Sequence, residues 1–232
     1  VNNVHLHWLQ HVPFERPGSI LDWAEQRGAE LSCTPLYAGG ELPQQDTFDV
    51  LVVMGGPMGV DDEQQYPWLH AEKKFLEQAM SSGKAVLGIC LGAQLIAQVA
   101  GGRVSCGTHR EIGWFEVTRA PEAAKVPVAD RFPERYTAFH WHGDTFTLPE
   151  GAVHLGSSEG CANQGFLLNE RILALQFHLE MTRPGVAALV TACVDEMEPG
   201  PFVQQVPHIF GKPEYYAETN RIMVGLLDAL IP

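Results

Sequence analysis

One cysteine in this chain stands in a setting suited to a nucleophile. Cys90 lies in "VLGICLGAQLIAQVAGG" (residues 86–102), where an apolar run ends at Gly88-Ile89-Cys90-Leu91-Gly92 and a helical apolar pattern follows at once. G-x-C-x-G at the seam between a strand and a helix has the form of a nucleophile elbow, in which glycines permit a tight turn and the thiol stands above the sheet. The positive end of the following helix favours a thiolate, and the backbone N–H of Leu91 falls close to where an oxyanion would form. Such a thiol needs a base, and the base needs an orienting acceptor. "LQFHLE" (residues 175–180) supplies candidates for both in His178 and Glu180. Two positions apart on a strand, they share one face. In "VVMGGPMGV" (residues 52–60) a glycine pair ends a buried strand, and the loop it opens can present the Gly56 N–H as a second oxyanion donor. No G-K-[ST] follows, so this is not a phosphate loop. The chemistry open to these groups is acyl transfer to sulfur.

Other chemically active residues are less telling. His5 and His7, with His11 nearby, make an H-x-H start, but no acidic or thiol ligand lies close in sequence, so no metal is expected. Glu111 in "EIGW" either reaches the site or caps a turn, and its spacing leaves both open. The remaining cysteines, Cys33, Cys106, Cys161 and Cys193, are widely spaced and form no C-x-x-C pair. They read as small apolar residues in a reduced, cytoplasmic setting.

The elements that must position these groups follow an α/β order. "VHLHWL" alternates as a strand does. "PGSILDWAEQRG" reads as a helix capped by Ser19 and closed by Gly28, and "LSCTPLY" and the nearly all-apolar "FDVLVVMGG" read as strands. "PWLHAEKKFLEQAMSSG" is a helix, "AVLGI" a strand, and the helix after Cys90 completes a β-α-β-α-β-α series, which argues for a mostly parallel central sheet flanked by helices. Beyond Gly102 come strand-like runs in quick succession: "IGWFEVTR", "YTAFHW", "AVHLGSS", "NQGFLL" and "ILALQFHLE". They predict an additional β-rich portion. A helical segment is expected near residues 183–197, and another in the amphipathic tail, where Tyr215 and Tyr216 should pack the last helix on the domain. "APEAAKVPVADRFPE" (residues 120–134) reads as a surface excursion. The 232 residues suit one domain over 1–232, with a core of about 4–197 and a helical extension of about 198–232.

Composition excludes several classes. The formal net charge of -13 disfavours nucleic acid as a partner. No apolar run reaches the roughly 18 residues of a membrane span, and "VNNVHLHWLQHVPFERPGS" lacks the basic start and apolar centre of a signal peptide.

In these motifs the chain resembles the class I glutamine amidotransferases of the Cys-His-Glu type, in particular stand-alone proteins similar to the glutaminase half of GMP synthase. The stretches that carry the resemblance run from "QHVPFERPGS" through "FDVLVVMGGPMGV", "YPWL", "GICLGAQLIAQVAGG", "EIGW", "WHGDTFTLP" and "GAVHLGSS" to "LQFHLE". It implies a flavodoxin-like α/β fold with Cys90 as nucleophile, His178 as base and acid, and Glu180 as orienter. Gly56 and Leu91 would form the oxyanion hole, and Gln94 with Trp141, His142 and Gly143 would hold the amino-acid end of the substrate. The implied substrate is glutamine or a γ-glutamyl compound, and no cofactor is called for. A separate ammonia-accepting synthase is an expected partner. The alternatives are an autonomous peptidase of glutathione-like γ-glutamyl conjugates and a non-catalytic regulatory module. Relatives usually carry proline between the His and the Glu, where this chain has Leu179. The acidic run Asp61, Asp62, Glu63 is expected at the rim of the site, where it would disfavour anionic leaving groups.

Overall fold

The apolar runs pair into one nine-stranded sheet. A computed structural model describes residues 4–231. The first half alternates strand and helix: β1 (His5–Gln10), α1 (Ser19–Gln26), β2 (Glu30–Pro35), β3 (Val50–Val53), α2 (Trp68–Ser81), β4 (Ala85–Ile89) and α3 (Leu91–Val99). The second half runs through β5 (Val104–Arg119), β6 (Arg135–Phe146), β7 (Val153–Ser157), β8 (Gly165–Leu168) and β9 (Ile172–Leu175). It then closes with α4 (Arg183–Cys193), α5 (Val206–Ile209) and α6 (Pro213–Leu230). Strand order is β2-β1-β3-β4-β9-β8-β7-β5-β6. The strands from β2 to β9 pair in parallel and those from β9 to β6 antiparallel, so the sheet is parallel at one side and a long meander at the other.

Residue alternation explains why β3 is apolar throughout. Val50 and Val52 face a core shared with α1 and α6, while Leu51 and Val53 face one shared with α2 and α3. Both faces are covered, as a parallel α/β sheet requires. A third cluster packs α4, α5 and the start of α6 against β5 and β6, with Trp114 enclosed by Phe139, Tyr215 and Tyr216.

Two local expectations are corrected. Ser19 does not cap α1. Gly18 holds the cap position at φ 53°, Ser19 N donates to Glu180 O at 2.9 Å, and the Ser19 hydroxyl has no partner. A side chain at Gly18 would run into that same carbonyl, so glycine sets the start of this helix. The stretch 120–134 is also no surface excursion, because Ala123, Val128, Ala129 and Phe132 are buried in the core shared with α6. Its two short 3₁₀ turns each lay one alanine inward, Ala123 and Ala129, a pattern that neither helix nor strand periodicity reveals. No helix among the described residues is long and apolar enough to cross a membrane.

Candidate active site

The site lies beyond the carboxyl ends of the central parallel strands, where open α/β sheets place their ligands. β4 delivers Cys90 to this edge. Its backbone is at φ 53°, ψ −109°, a conformation strained for any residue but glycine, and it is held by Cys90 N donating to Leu175 O at 2.8 Å and Gln94 N donating to Cys90 O at 3.1 Å. The flanking glycines are obligatory. A Cβ on Gly88 would lie 2.6 Å from Gly92 O, and one on Gly92 would lie 2.0 Å from Val53 O. The elbow read from G-x-C-x-G is present.

His178 and Glu180 come together as expected, His178 Nδ1 lying 2.7 Å from Glu180 Oε1, with both side chains buried. They are not on a regular strand, however. β9 ends at Leu175, and His178 is held by an isolated bridge to Phe139 on β6 (His178 N to Phe139 O, 2.8 Å). Leu179 follows this bridge directly. Asn220 Nδ2 on α6 donates to Leu179 O at 2.8 Å and Ser19 N donates to Glu180 O, so long-range hydrogen bonds fix the backbone that a proline ring would stiffen locally.

Burial, with Glu15, pushes the Cys90 thiol up, and the neighbouring His178 imidazole and the Leu91 N–H offset only part of that. Burial opposes charge on His178, but Glu180, with the thiol, raises it well above the ordinary histidine range. The Cys90 thiol donates to Trp141 O at 3.5 Å. Catalytic contacts are commonly loose before substrate binds.

A cleft of about 170 Å³ opens over the sulfur, lined in part by Gly56, Gln94, Trp141, His142 and Gly143. All the residues expected to bind substrate therefore surround Cys90. Gln94 Nε2 also donates to Gln176 Oε1 at 3.2 Å.

His11, weighed above as a weak metal candidate, pairs with buried Glu72 at 2.8 Å, and its Nδ1 lies 3.1 Å from Gly55 O. A trans peptide points its C=O and N–H in opposite directions. Fixing the Gly55 carbonyl on His11 therefore turns the Gly56 N–H the other way. His5 and His7 share the Ser32 hydroxyl at 2.7 Å each, which is hydrogen bonding within the parallel β1–β2 pair.

Glu111 is settled as a buried hub. Its carboxylate accepts from Ser158 Oγ at 2.6 Å and Gln164 Nε2 at 2.7 Å, with His142 Nε2 at 3.0 Å but off the line of a good hydrogen bond. Burial would raise its pKa, yet His142, His140 and Ser158 hold it down at about 2. Burial pushes His140 down to about 3. Glu111, His140 and His142 bring one ligand atom each within 4.8 Å of one another, which makes them a group able to hold a cation. Ser158 and Gln164 hold the Glu111 carboxylate, and His142 Nδ1 lies 3.0 Å from Asp144 O beside the cleft.

The acidic run expected at the rim lies elsewhere. Asp61 and Glu63 pair with Lys73, and Asp62 accepts from Gly59 N. The charged groups that do line the cleft are Glu15, Arg110, Asp144 and Glu196. None was singled out from sequence. Glu15 follows the carboxyl end of β1 in a Pro-containing loop, and that position at the sheet edge was the available signal. Burial raises it to about 7, with His178 and His11 opposing the shift and Glu180 and Glu196 adding to it.

The likeness to known proteins agrees with this geometry. The family model for glutamine amidotransferase class-I matches residues 18–189. The chain is 35% identical over 198 residues to the glutamine amidotransferase-like protein YfeJ of Salmonella typhimurium, covering 84% of this chain and 83% of that one. It is also 35% identical over 133 residues to a GMP synthase of Bacillus cereus, of which it spans only 24%. Among solved structures, a glutamine amidotransferase from Thermotoga maritima superimposes over the whole of both chains with a TM-score of 0.90 at 28% identity. The protein SMU.1228c superimposes with a TM-score of 0.92 at 31% identity, covering 99% of this chain and all of that one. A strained cysteine elbow facing a buried His–Glu pair, on a flavodoxin-like sheet extended by an antiparallel meander, thus belongs to a chain that is a member of the class I glutamine amidotransferases, cysteine-dependent hydrolases of glutamine or γ-glutamyl compounds.

Proposed function

We propose that Cys90 is the nucleophile that cleaves a γ-glutamyl C–N bond, with His178 as proton carrier and Glu180 as its orienter. The observation that carries this reading is the buried 2.7 Å His178–Glu180 contact beside a cysteine held at positive φ. The Cys90 thiolate attacks the γ-carboxamide carbon, and the carbonyl electron pair moves to oxygen. The N–H groups of Gly56 and Leu91 stabilise that oxyanion. As the tetrahedral intermediate collapses, the C–N bond breaks and His178 gives the leaving nitrogen its proton, leaving a γ-glutamyl thioester. His178 then takes a proton from water, hydroxide adds to the thioester carbon, and glutamate departs as the thiol is restored. Gln94 and the Trp141–Gly143 backbone hold the amino-acid end. Arg110, tied to Glu196 O, supports recognition of the α-carboxylate, and Asp144 and Glu196 supply acceptors for the α-ammonium.

Hydroxylamine tests the thioester. Glutamine or a γ-glutamyl amide should yield γ-glutamyl hydroxamate with the wild type and none with Cys90→Ser. Equal hydroxamate from both would exclude the thioester at Cys90. The partial match to GMP synthases supports a second reading, in which the chain passes ammonia to a separate synthase. That reading expects glutamine turnover to rise when the synthase is added.

A further inference from the structure

Three side chains beside the cleft meet in a way that hydrogen bonding does not explain. His140 and His142, two apart on β6, share one face of the strand, and Glu111 on β5 is the register partner of His142. Glu111 Oε2 lies 3.0 Å from His142 Nε2 and 3.8 Å from His140 Nδ1, and all three residues are buried. The tautomer of His142 is set at its other nitrogen. Nδ1 lies 3.0 Å from Asp144 O, and a carbonyl oxygen only accepts, so Nδ1 carries the hydrogen. In the neutral ring the Nε2 lone pair then stands beside a carboxylate, with no proton between them. A second proton on the ring would bring opposite charges together. It would point off the line to Oε2, however, and Nε2 has no hydrogen-bond partner.

Close and misaligned is how two ligands of one ion stand to each other, because each lone pair points at the ion and not at the other atom. Ligands about 2.0–2.2 Å from a tetrahedral zinc ion are roughly 3.3–3.6 Å apart. The contacts of 3.0 and 3.8 Å bracket that span. The surroundings also suit a ligand set, whose members are oriented by a further layer of hydrogen bonds. Asp144 O holds the His142 N–H. Ser158 Oγ donates to Glu111 Oε1 at 2.6 Å and Gln164 Nε2 to Oε2 at 2.7 Å, which leaves Oε2 a second lone pair. Gln164 Nε2 also lies 3.4 Å from His140 Nδ1, a long contact that an ion would replace. A Cβ on Gly160 would stand 2.8 Å from Glu111 Oε1, so bare backbone wraps the carboxylate. His142 borders both the catalytic cleft and a second cavity of about 140 Å³, which gives an ion a way in and a place for water as a fourth ligand.

We propose that Glu111, His140 and His142 bind one divalent transition-metal ion, zinc before others, and that the ion steadies the Trp141–Gly143 segment. Two imidazoles and a carboxylate are a donor set that zinc accepts. His142 is the link between the ion and the substrate, since its ring would ligate the metal while its backbone lies in the segment that holds the amino-acid end. That second role rests on the catalytic reading above, whereas metal binding does not. An ion at this place acts on how the substrate is held, and its effect belongs in KM.

The test uses the purified full chain, stripped with EDTA and dialysed, with Zn²⁺ and Co²⁺ as probes. Equilibrium dialysis should find one Zn²⁺ per chain, and the bound ion should raise Tm until EDTA removes it. His140→Ala and Glu111→Gln should each weaken binding by about 100-fold or more, the upper end of what losing a mere partner of a ligand costs. Cys90→Ser should bind zinc as the wild type does, which separates this site from the catalytic thiol. Co²⁺ should give the visible bands of a nitrogen and oxygen site without a thiolate charge-transfer band. The zinc-loaded protein should have a lower KM for glutamine than the stripped protein at the same kcat. Zinc held equally by wild type and both ligand variants, or lost in Cys90→Ser, overturns the site. If the ligand variants do not fold, the wild-type cobalt spectrum decides, and a thiolate band or no bound cobalt overturns it. Zinc bound with KM unchanged overturns the steadying role alone. No glutamate released with or without zinc overturns the catalytic reading beneath that role, and the dialysis result is unaffected.

Discussion

Replacing Gly92 by alanine adds one methyl group and should disable the elbow. The new Cβ would stand 2.0 Å from the Val53 carbonyl oxygen and 2.7 Å from its carbon, whereas real Cβ contacts stop near 3.0 Å, so α3 must back away from β3 by about 1 Å. Overpacking of this kind costs about 1–3 kcal/mol. In a chain of this size each kcal/mol lowers Tm by about 2–4 °C, so a fall of roughly 2–12 °C is expected. The larger consequence is for activity. Cys90 and the Leu91 N–H ride on the displaced turn, and a misplacement of about 1 Å is worth about 10²-fold in rate. Gly225→Ala on α6 is the control. Its Cβ would meet nothing nearer than Arg131 Cβ at 4.0 Å, so the same substitution should stabilise by roughly 0.4–1 kcal/mol and leave kcat/KM alone. Thermal unfolding and glutamate release are measured for both. Wild-type Tm and activity in Gly92→Ala would refute the claim that close approach of α3 to β3 sets the nucleophile.

Removal of His178 should lower kcat by about 10²–10⁴-fold, and the His178→Ala/Glu180→Gln double variant should be little worse than His178→Ala alone; losses that multiply would mean separate roles. Asn220→Ala frees the Leu179 and Met181 carbonyls, and should cost about 1–3 kcal/mol in denaturant unfolding and lower kcat more than it raises KM. Glu111→Gln should destabilise at pH 7, and its gap to wild type should close on acidification. A carboxyl depressed to about 2 when folded, against 4.5 ordinarily, stabilises fully above pH 4.5 and loses that contribution as pH falls toward 2. A gap that stays constant from pH 7 to pH 2.5 would show that the charge on Glu111 is unimportant.

What the sequence reveals and what it hides divide along contact range. The elbow is local: two glycines around a cysteine, an apolar strand before and a helical pattern after, and all of it survives in the structure. His178 and Glu180 are two residues apart, so their meeting needs only an extended backbone, even though that backbone is a bridge to Phe139 rather than a strand. The cover around them is not local. Trp141 reaches Cys90 only because β6 returns along β5, and Glu15 reaches the cleft because the loop after β1 folds over the sheet edge. His11 stood in sequence only as a histidine near the His5-x-His7 pair, and its task of anchoring Gly55 depends on Glu72 from α2. The acidic run at Asp61–Glu63 was misplaced for the opposite reason: charge was read without its partner, and Lys73 on α2 pairs with two of those carboxylates, none of which lines the cleft.

The nucleophile is the centre of the account, and a glutamine-derived diazo-ketone label tests it most directly. Peptide mapping after labelling should place the adduct on Cys90 alone, with glutamate release lost in proportion. Cys33 and Cys106 are less buried than Cys90, and Cys161 and Cys193 lie outside the elbow, so a merely reactive thiol would be found elsewhere. Adducts on those cysteines with Cys90 unmodified, and activity lost with them, would contradict the assignment.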